Sequence, residues 1–242
     1  MTESPKSITI DTNLLERARE FHGHVCPFLV LGLLASEIAK SELGVSKAGV
    51  YETIHEELVA VVEANNCMAD GVQVATGCTL GNNSLIYLDT GKNALTLYRR
   101  STGEGVRVYV DWERISGEFL PRAAGGAWRE GSELWRKVVV ERSASREEAE
   151  RLHALWEQVA LKLLELPADY FKVSRVKVSP IERAPIFESV KCARCGELVA
   201  KPRAVATPEG YLCPACARAS VNGVIGRGIV VGLQYPVEVM VG

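Results

Sequence analysis

Two closely spaced pairs of cysteines near the C-terminus constrain this 242-residue chain more than any other feature. Cys192 and Cys195 form the first C-x2-C pair, Cys213 and Cys216 form the second, and seventeen residues separate the pairs. Two intervening residues let both thiolates of a pair face one ion from a tight turn, and a hairpin returns the second pair to that ion. The spacing predicts one structural zinc per chain, held by all four cysteines with no coordination position left open.

The segment around these cysteines is predicted to fold as a treble clef. Turn-forming residues 207–210 separate two short apolar stretches, which indicates a hairpin, and Cys213-Pro214 starts a predicted helix that runs to Arg218. Together with a knuckle at the first cysteine pair, these elements make a treble clef. A redox-active disulfide pair is the alternative that the four cysteines leave open.

The charge of this module bears on its partners. From Lys191 onward the chain carries six basic and three acidic residues, so the module is mildly basic. No aromatic platform or dense basic cluster accompanies these charges, which disfavours nucleic acid as a partner. We expect the module to pack on the main domain or to bind a protein partner.

The overall composition is that of a globular protein with one sizeable core and a small added domain. Hydrophobic residues make up 47% of the chain and charged residues 24%, and the net charge of -2 gives no general attraction to nucleic acid or anionic lipid. No apolar stretch is long enough for a membrane span, and residues 1–5 lack a signal-peptide pattern. We therefore expect a cytoplasmic protein without a membrane partner.

Helix and strand patterns upstream of the cysteine pairs predict an α+β main domain with helices packed on an antiparallel sheet. Capping residues and helical apolar spacing mark the helices, and β-branched runs between turn-forming residues mark the strands. The predicted helices begin after Asn13, at Pro27, at Cys67 and after Ser145, and the predicted strands are 58–62, 86–88, 94–99, 106–110 and 171–178. Two prolines indicate a linker, and we place the boundary near Ser189, giving domains 1–188 and 189–242.

A second group of metal-ligating residues lies near the start of the chain. His22, His24 and Cys26 occupy a loop that leads into a predicted helix at Pro27. Unpaired amides and the helix dipole at that position favour a thiolate at Cys26. Two histidines one residue apart project to the same side of an extended segment, where either can act as a ligand or a proton carrier.

A third segment rich in small residues carries further candidates. Cys67, Asp70 and Gly71 share one face of a predicted helix, and Cys78 follows just beyond its end. The glycines in this segment allow close approach of another surface or a ligand. The competing interpretation is that both cysteines are ordinary buried small residues and that Asp70 caps a helix.

These segments resemble the FmdE family, which is named after the E-type polypeptide of formylmethanofuran dehydrogenase. The family signature is a Phe-His-Gly-His-x-Cys-Pro-Gly segment, a glutamate, then Cys-x-x-Asp-x-x-Gln and Thr-Gly-Cys-Thr-x-Gly. In this chain the matching positions are Phe21 to Pro27, Glu63, Cys67, Asp70, Gln73 and Thr76 to Gly81. Some members also resemble this chain in carrying a C-terminal treble-clef zinc module.

The resemblance implies an α+β core, a homodimer, and a cleft in which the His, Cys and Asp positions gather around a metal. Three departures from the family pattern put the substrate in doubt: Phe28 replaces a glycine, Asn65 an aspartate, and Asn82-Asn83 a Lys-Gly pair. A bulky residue at position 28 narrows the cleft, and loss of the lysine weakens anion binding.

Our main functional hypothesis is that this cleft binds a second transition metal or a small ligand. The candidate catalytic residues are His24, Cys26 and Asp70, and the candidate cofactor-binding residues are His22, His24, Cys26, Cys67 and Cys78. Three spare cysteines cannot hold a four-cysteine iron–sulfur cluster, so we expect an accessory or free-standing relative and not the polypeptide that carries the catalytic molybdenum or tungsten. Whether the chain is an enzyme is left open.

Two other functional hypotheses remain. In the first, the zinc module is a non-enzymatic adaptor or regulator that binds protein or nucleic acid, and the His and Cys cluster is only structural. In the second, Cys26 is the nucleophile of a cysteine-dependent enzyme, assisted by His22 or His24.

Overall fold

The computed structural model describes residues 8–179 and 181–237, and the chain divides into two compact units between Glu182 and Arg183. The division lies a few residues before the expected boundary at Ser189. Residues of the intervening segment belong to the second unit, since Glu188 pairs with Lys201 at 2.8 Å and Arg203 lies over the Phe187 ring. Each unit is described by itself below.

A five-stranded sheet forms the frame of the first unit. Its strands are β1 (Leu58–Val62), β2 (Leu85–Tyr87), β3 (Ala94–Arg99), β4 (Glu104–Val110) and β5 (Phe171–Lys177), and they lie in the order β2-β1-β3-β4-β5. Three neighbouring pairs are antiparallel, as predicted. The expectation that β2 is also antiparallel is wrong, because β2 pairs in parallel with β1. A helix connects these two strands and returns the chain to the starting end of the sheet.

Five helices flank this frame: α1 (Thr12–His22), α2 (Pro27–Leu43), α3 (Val50–Ile54), α4 (Cys67–Thr76) and α8 (Arg146–Leu163). The caps predicted from sequence are present. Ser145 and Glu148 form a capping box at the start of α8, and left-handed glycines end α1, α2 and α4. Among the described residues, no helix has the length and apolar character that crossing a membrane requires.

Residues 112–140, for which sequence patterns predicted no element, are also helical. They comprise α5 (Trp112–Arg114), a π-helical turn (Ile115–Phe119), α6 (Leu120–Ala123), α7 (Gly125–Trp135) and a second π-helical turn (Arg136–Val140). A π-helical turn adds a residue to the helical repeat, so the apolar positions lose the 3.6-residue spacing on which prediction depends.

The core lies between the sheet and α2, in which eleven of the seventeen residues are buried. Leu58, Ala60 and Val62 of β1 face this core, while Val59 and Val61 belong to a smaller apolar cluster of alternate residues on the strand. α2 and α4 approach each other closely, because a Cβ on Gly71 would lie 2.4 Å from the Leu29 carbonyl oxygen. This contact places the start of α4 beside the start of α2.

The second unit consists of three hairpins and one short helix. The hairpins pair β6 (Ser189–Lys191) with β7 (Leu198–Ala200), β8 (Val205–Thr207) with β9 (Gly210–Leu212), and β10 (Val221–Ile225) with β11 (Gly228–Leu233), and α9 spans Pro214–Ala217. The second hairpin and the helix agree with the prediction. The first hairpin, which brackets Cys192 and Cys195, was not predicted.

Candidate metal and ligand site

The four C-terminal cysteines come together at one point of the second unit. Their sulfur atoms all lie within 4.8 Å of one another, and the Cys195 and Cys213 sulfurs are 3.9 Å apart. A tetrahedral zinc with bonds of about 2.3 Å requires sulfur separations of roughly 3.8 Å, so the arrangement fits this ion. All four are free thiols, as a metal site requires and the alternative disulfide does not.

Backbone geometry prepares these sulfurs for ligation. Gly196 has a φ of 79° and closes the knuckle after the first pair, and Cys213 caps the start of α9. The Cys213 amide donates to the Cys192 sulfur at 3.3 Å. Backbone amide donors, chiefly that of Cys195, lower the pKa of Cys192 to about 6. The thiolate form that binds a metal is therefore favoured before any ion arrives.

In the first unit, the junction of α1 and α2 gathers His22, His24 and Cys26. α1 ends at His22, Gly23 takes a left-handed φ of 88°, and Cys26 caps α2. One potential ligand atom from each of the three residues lies within 4.8 Å of the others, and His22 Nε2 is 3.8 Å from the Cys26 sulfur. Local chain geometry thus brings these three side chains into one cluster.

Asp70, on α4, orients the His22 ring. His22 Nδ1 lies 2.7 Å from an Asp70 carboxylate oxygen, and Gln73 donates to the other oxygen at 3.1 Å. A carboxylate only accepts, so His22 carries its proton on Nδ1 and presents the Nε2 lone pair toward Cys26. Metal-bound histidines commonly have this carboxylate support. The structure therefore gives Asp70 a positioning role.

Cys67, the first residue of α4, adjoins the same cluster. The pKa of its thiol is lowered to about 6, first by a hydrogen bond from Cys26 and then by the nearby His22. The pKa of Cys26 is raised by the same contact with Cys67 and by burial. The sequence assigned the thiolate of low pKa to Cys26, whereas the structure assigns it to Cys67, because one proton shared by two touching thiols stays on the more buried one.

His24 and Cys78 differ in their positions. Burial lowers the pKa of His24, and His22 and His153 lower it further, so its imidazole is neutral near pH 7 and has a free lone pair. Cys78 does not join the cluster, which corrects the predicted ligand set. Its buried thiol donates to the Leu58 carbonyl in β1 at 3.3 Å, because the chain turns toward the sheet after α4.

The cluster opens onto a cavity of about 540 Å³ in the first unit. Sequence reasoning missed most of its walls. The lining residues are His24, Cys26, Pro27, Phe28, Cys67, Trp112, Trp128, Ser132, Trp135, Val139, Leu152 and Trp156. They include all four tryptophans of the chain, and that shared residue type was the one sequence signal that could have indicated a common site.

The aromatic residues form a continuous wall. Phe28 contacts Trp112 with ring centroids 4.7 Å apart, Trp112 meets Trp128 edge-on at 6.0 Å, and Trp128 meets Trp156 at 5.7 Å. Phe28, which replaces the glycine of the family pattern, therefore occupies cavity space as the sequence predicted.

Comparison with known proteins identifies the family. The model described as "FmdE, Molybdenum formylmethanofuran dehydrogenase operon" matches residues 21–172. The chain belongs to the FmdE family. The matched residues contain the His and Cys cluster, Asp70 and the four tryptophans, so the cavity lies within the part of the chain that defines the family.

Two similar proteins extend this finding. A "Probable S-adenosyl-L-methionine-binding protein" of Archaeoglobus fulgidus is 52% identical over 219 residues, which cover 90% of this chain but 56% of the relative. The crystal structure of a tungsten formylmethanofuran dehydrogenase FmdE-like protein from Syntrophus aciditrophicus has a TM-score of 0.53 and 24% identity, covering 89% of this chain and 97% of its own. The second likeness shows the FmdE-like fold.

Proposed function

We propose that this FmdE-family chain binds two metals, a structural zinc at the four C-terminal cysteines and a second transition metal at His22, His24 and Cys26. The second metal would form the floor of a cavity that receives a small organic ligand. The observation that carries the proposal is the convergence of the three donor atoms within 4.8 Å at the bottom of that cavity.

The donor set favours a metal of borderline softness. Imidazole and thiolate together suit zinc and other late first-row divalent ions better than magnesium or calcium. Three protein ligands leave a fourth position for a molecule in the cavity, as in zinc sites that act on substrates. Cys67 lies against Cys26 and would serve as an alternative thiolate donor.

Metal content tests this proposal directly. Elemental analysis of the purified chain should give two equivalents of metal, and Cys26→Ser and His24→Ala should each reduce the total to one. His55→Ala is the matched control, since His55 stacks on Tyr51 and belongs to neither ligand group. One equivalent in both the wild-type chain and Cys26→Ser, even after incubation with zinc or cobalt, contradicts a second site.

The ligand in the name of the Archaeoglobus relative is not adopted for this chain. The chain spans 56% of that protein's length, and the name does not say which part binds S-adenosyl-L-methionine. The cavity walls also lack a carboxylate to pair with the sulfonium or ammonium group among the described lining residues. S-adenosyl-L-methionine is accordingly a comparison ligand in the binding experiment below.

A homodimer is the second part of the proposal. Val50, Tyr51 and Ile54 of α3 are 65–78% exposed, and none of the residues of this helix is buried. A second copy covering this apolar face would remove it from water. Light scattering that gives the mass of a single chain at micromolar concentration would exclude the dimer.

The proposal places the chain as an accessory or free-standing family member in the cytoplasm. Protein partners of the C-terminal module, an adaptor role, and nucleophilic catalysis by a cluster thiol are alternatives to it. Full metal occupancy with no ligand binding in the cavity would favour the adaptor.

A further inference from the structure

The aromatic cavity has a composition that selects one chemical class of ligand. We propose that it binds a flat, uncharged heteroaromatic compound between its tryptophan faces, with a ring nitrogen directed to the His and Cys floor. The orientation of the nitrogen rests on the second metal proposed above. The ring-face contacts rest on the cavity alone.

The tryptophans are positioned as ligand contacts and not as core filling. Trp112, Trp128 and Trp156 are only partly buried, and Trp135 is 44% exposed at the cavity. Large aromatic surfaces normally gain stability by full burial, so four that share one open cavity leave their faces available to a guest.

The position of one wall is built into the backbone. A Cβ on Gly131 of α7 would lie 2.7 Å from Cζ3 and 3.0 Å from Cε3 of Trp156. Only glycine at this position lets the Trp156 ring lie directly against α7. A side chain there would push the ring toward the cavity.

Charge excludes most other ligand classes. None of the described residues that line the cavity is Lys, Arg, Asp or Glu. A phosphate or carboxylate would lose its hydration without gaining an ion pair, and a cation would meet only ring faces. The polar groups of His24, Cys26 and Cys67 are instead grouped at the floor, which orients a ligand that has one donor atom and an apolar body.

The probe for this proposal is 1-benzylimidazole, a neutral aromatic compound with one metal-binding nitrogen. Because all four tryptophans line the cavity, intrinsic fluorescence reports binding, and calorimetry gives the affinity. Gly131→Ala should weaken binding at least about tenfold by displacing Trp156. Gly126→Ala on the same helix is the control, since a Cβ there meets nothing within 4 Å.

A second variant guards against misfolding of Gly131→Ala. Trp135→Ala removes an exposed ring and should weaken binding severalfold while leaving the unfolding temperature near that of the wild type. The carboxylate analogue 4-(imidazol-1-ylmethyl)benzoate and S-adenosyl-L-methionine should bind at least about tenfold more weakly than 1-benzylimidazole. Equal affinity for the charged and neutral compounds, or unchanged affinity in both variants, overturns the proposal.

The metal proposal can fail separately. Removing the second metal should weaken binding of 1-benzylimidazole but leave its dependence on Trp135 in place. If elemental analysis finds one metal and the Trp135→Ala effect persists, the second metal is wrong and the aromatic site stands. If two metals are present but 1-benzylimidazole does not bind, the aromatic site is wrong and the metal site stands.

Discussion

At the scale of single residues, two acidic side chains singled out by the family motif have different tasks. Asp70 holds the His22 ring at 2.7 Å and thereby belongs to the candidate metal site. Glu63, at the end of β1, lies outside the cavity lining. It accepts from Arg107 Nε at 2.6 Å and from the Thr90 hydroxyl at 3.0 Å, so it ties three segments around the sheet together.

Replacing Glu63 with glutamine should lower the free energy of unfolding at pH 7 by about 1–3 kcal/mol, because Arg107 loses its charged acceptor. The hydrogen bond from Arg107 lowers the pKa of Glu63 in the folded state. Its contribution is therefore full above the unfolded pKa of about 4.3 and is lost as pH falls through the folded pKa.

Urea unfolding at a series of pH values measures this effect. The difference between the wild type and Glu63→Gln should shrink as pH falls below about 4. Glu133→Gln, at an exposed position of α7, is the matched control and should change stability by less than about 0.5 kcal/mol. A difference that stays constant down to pH 3 would show that the carboxylate charge contributes nothing.

At the scale of elements, the contact between α2 and α4 determines the candidate site. α2 starts at the Cys26 cap, and α4 carries Cys67 and Asp70. Glycines on both helices make the contact, since Cβ atoms on Gly32 and Gly71 would lie 2.3 Å and 2.4 Å from backbone oxygens of the facing helix. The small residues of this segment thus serve helix packing.

Gly71→Ala should reduce stability by about 1–3 kcal/mol and also reduce occupancy of the second metal. The added methyl group forces α4 away from α2, and this shift moves Asp70 from His22 and Cys67 from Cys26. Thermal unfolding and metal analysis of the same sample provide the two readouts. Gly81→Ala, where a Cβ meets nothing within 4 Å, should affect neither. Full metal occupancy in Gly71→Ala would contradict this dependence.

At the scale of the whole molecule, the two units are stabilised in different ways. The first unit has an extensive apolar core between α2 and the sheet. The buried core of the second unit consists of Cys192, Leu212 and Cys213, so two of its three members are candidate metal ligands. A unit this small with so little apolar core depends on a metal or another crosslink for its fold.

Removing metal with a chelator should therefore unfold the second unit selectively. Hydrogen exchange followed by mass spectrometry should show loss of protection across β6 to β9, with protection retained in β1, β3 and β4. Cys213→Ser should produce the same pattern without chelator, and Cys78→Ser, which lies outside both ligand groups, should leave the second unit protected. Retained protection in a metal-free sample would exclude a structural metal.

Local spacing determined much of this protein. The C-x2-C pairs predict a four-sulfur cluster because two intervening residues restrict where the thiolates can point, and capping residues mark α1, α2, α4 and α8. His22, His24 and Cys26 come together for the same reason, since they lie within one turn between two helices.

Only the tertiary structure decided the rest. Cys67 and Asp70 reach His22 through packing of α4 on α2, whereas Cys78 turns away to β1 despite belonging to the same motif. The cavity walls come from residues spread between positions 28 and 156, over a stretch whose π-helical turns hide its periodicity. Sequence spacing fixes contacts within a turn or a hairpin, but contacts between distant segments depend on how helices and strands fill a common core, which no local pattern records.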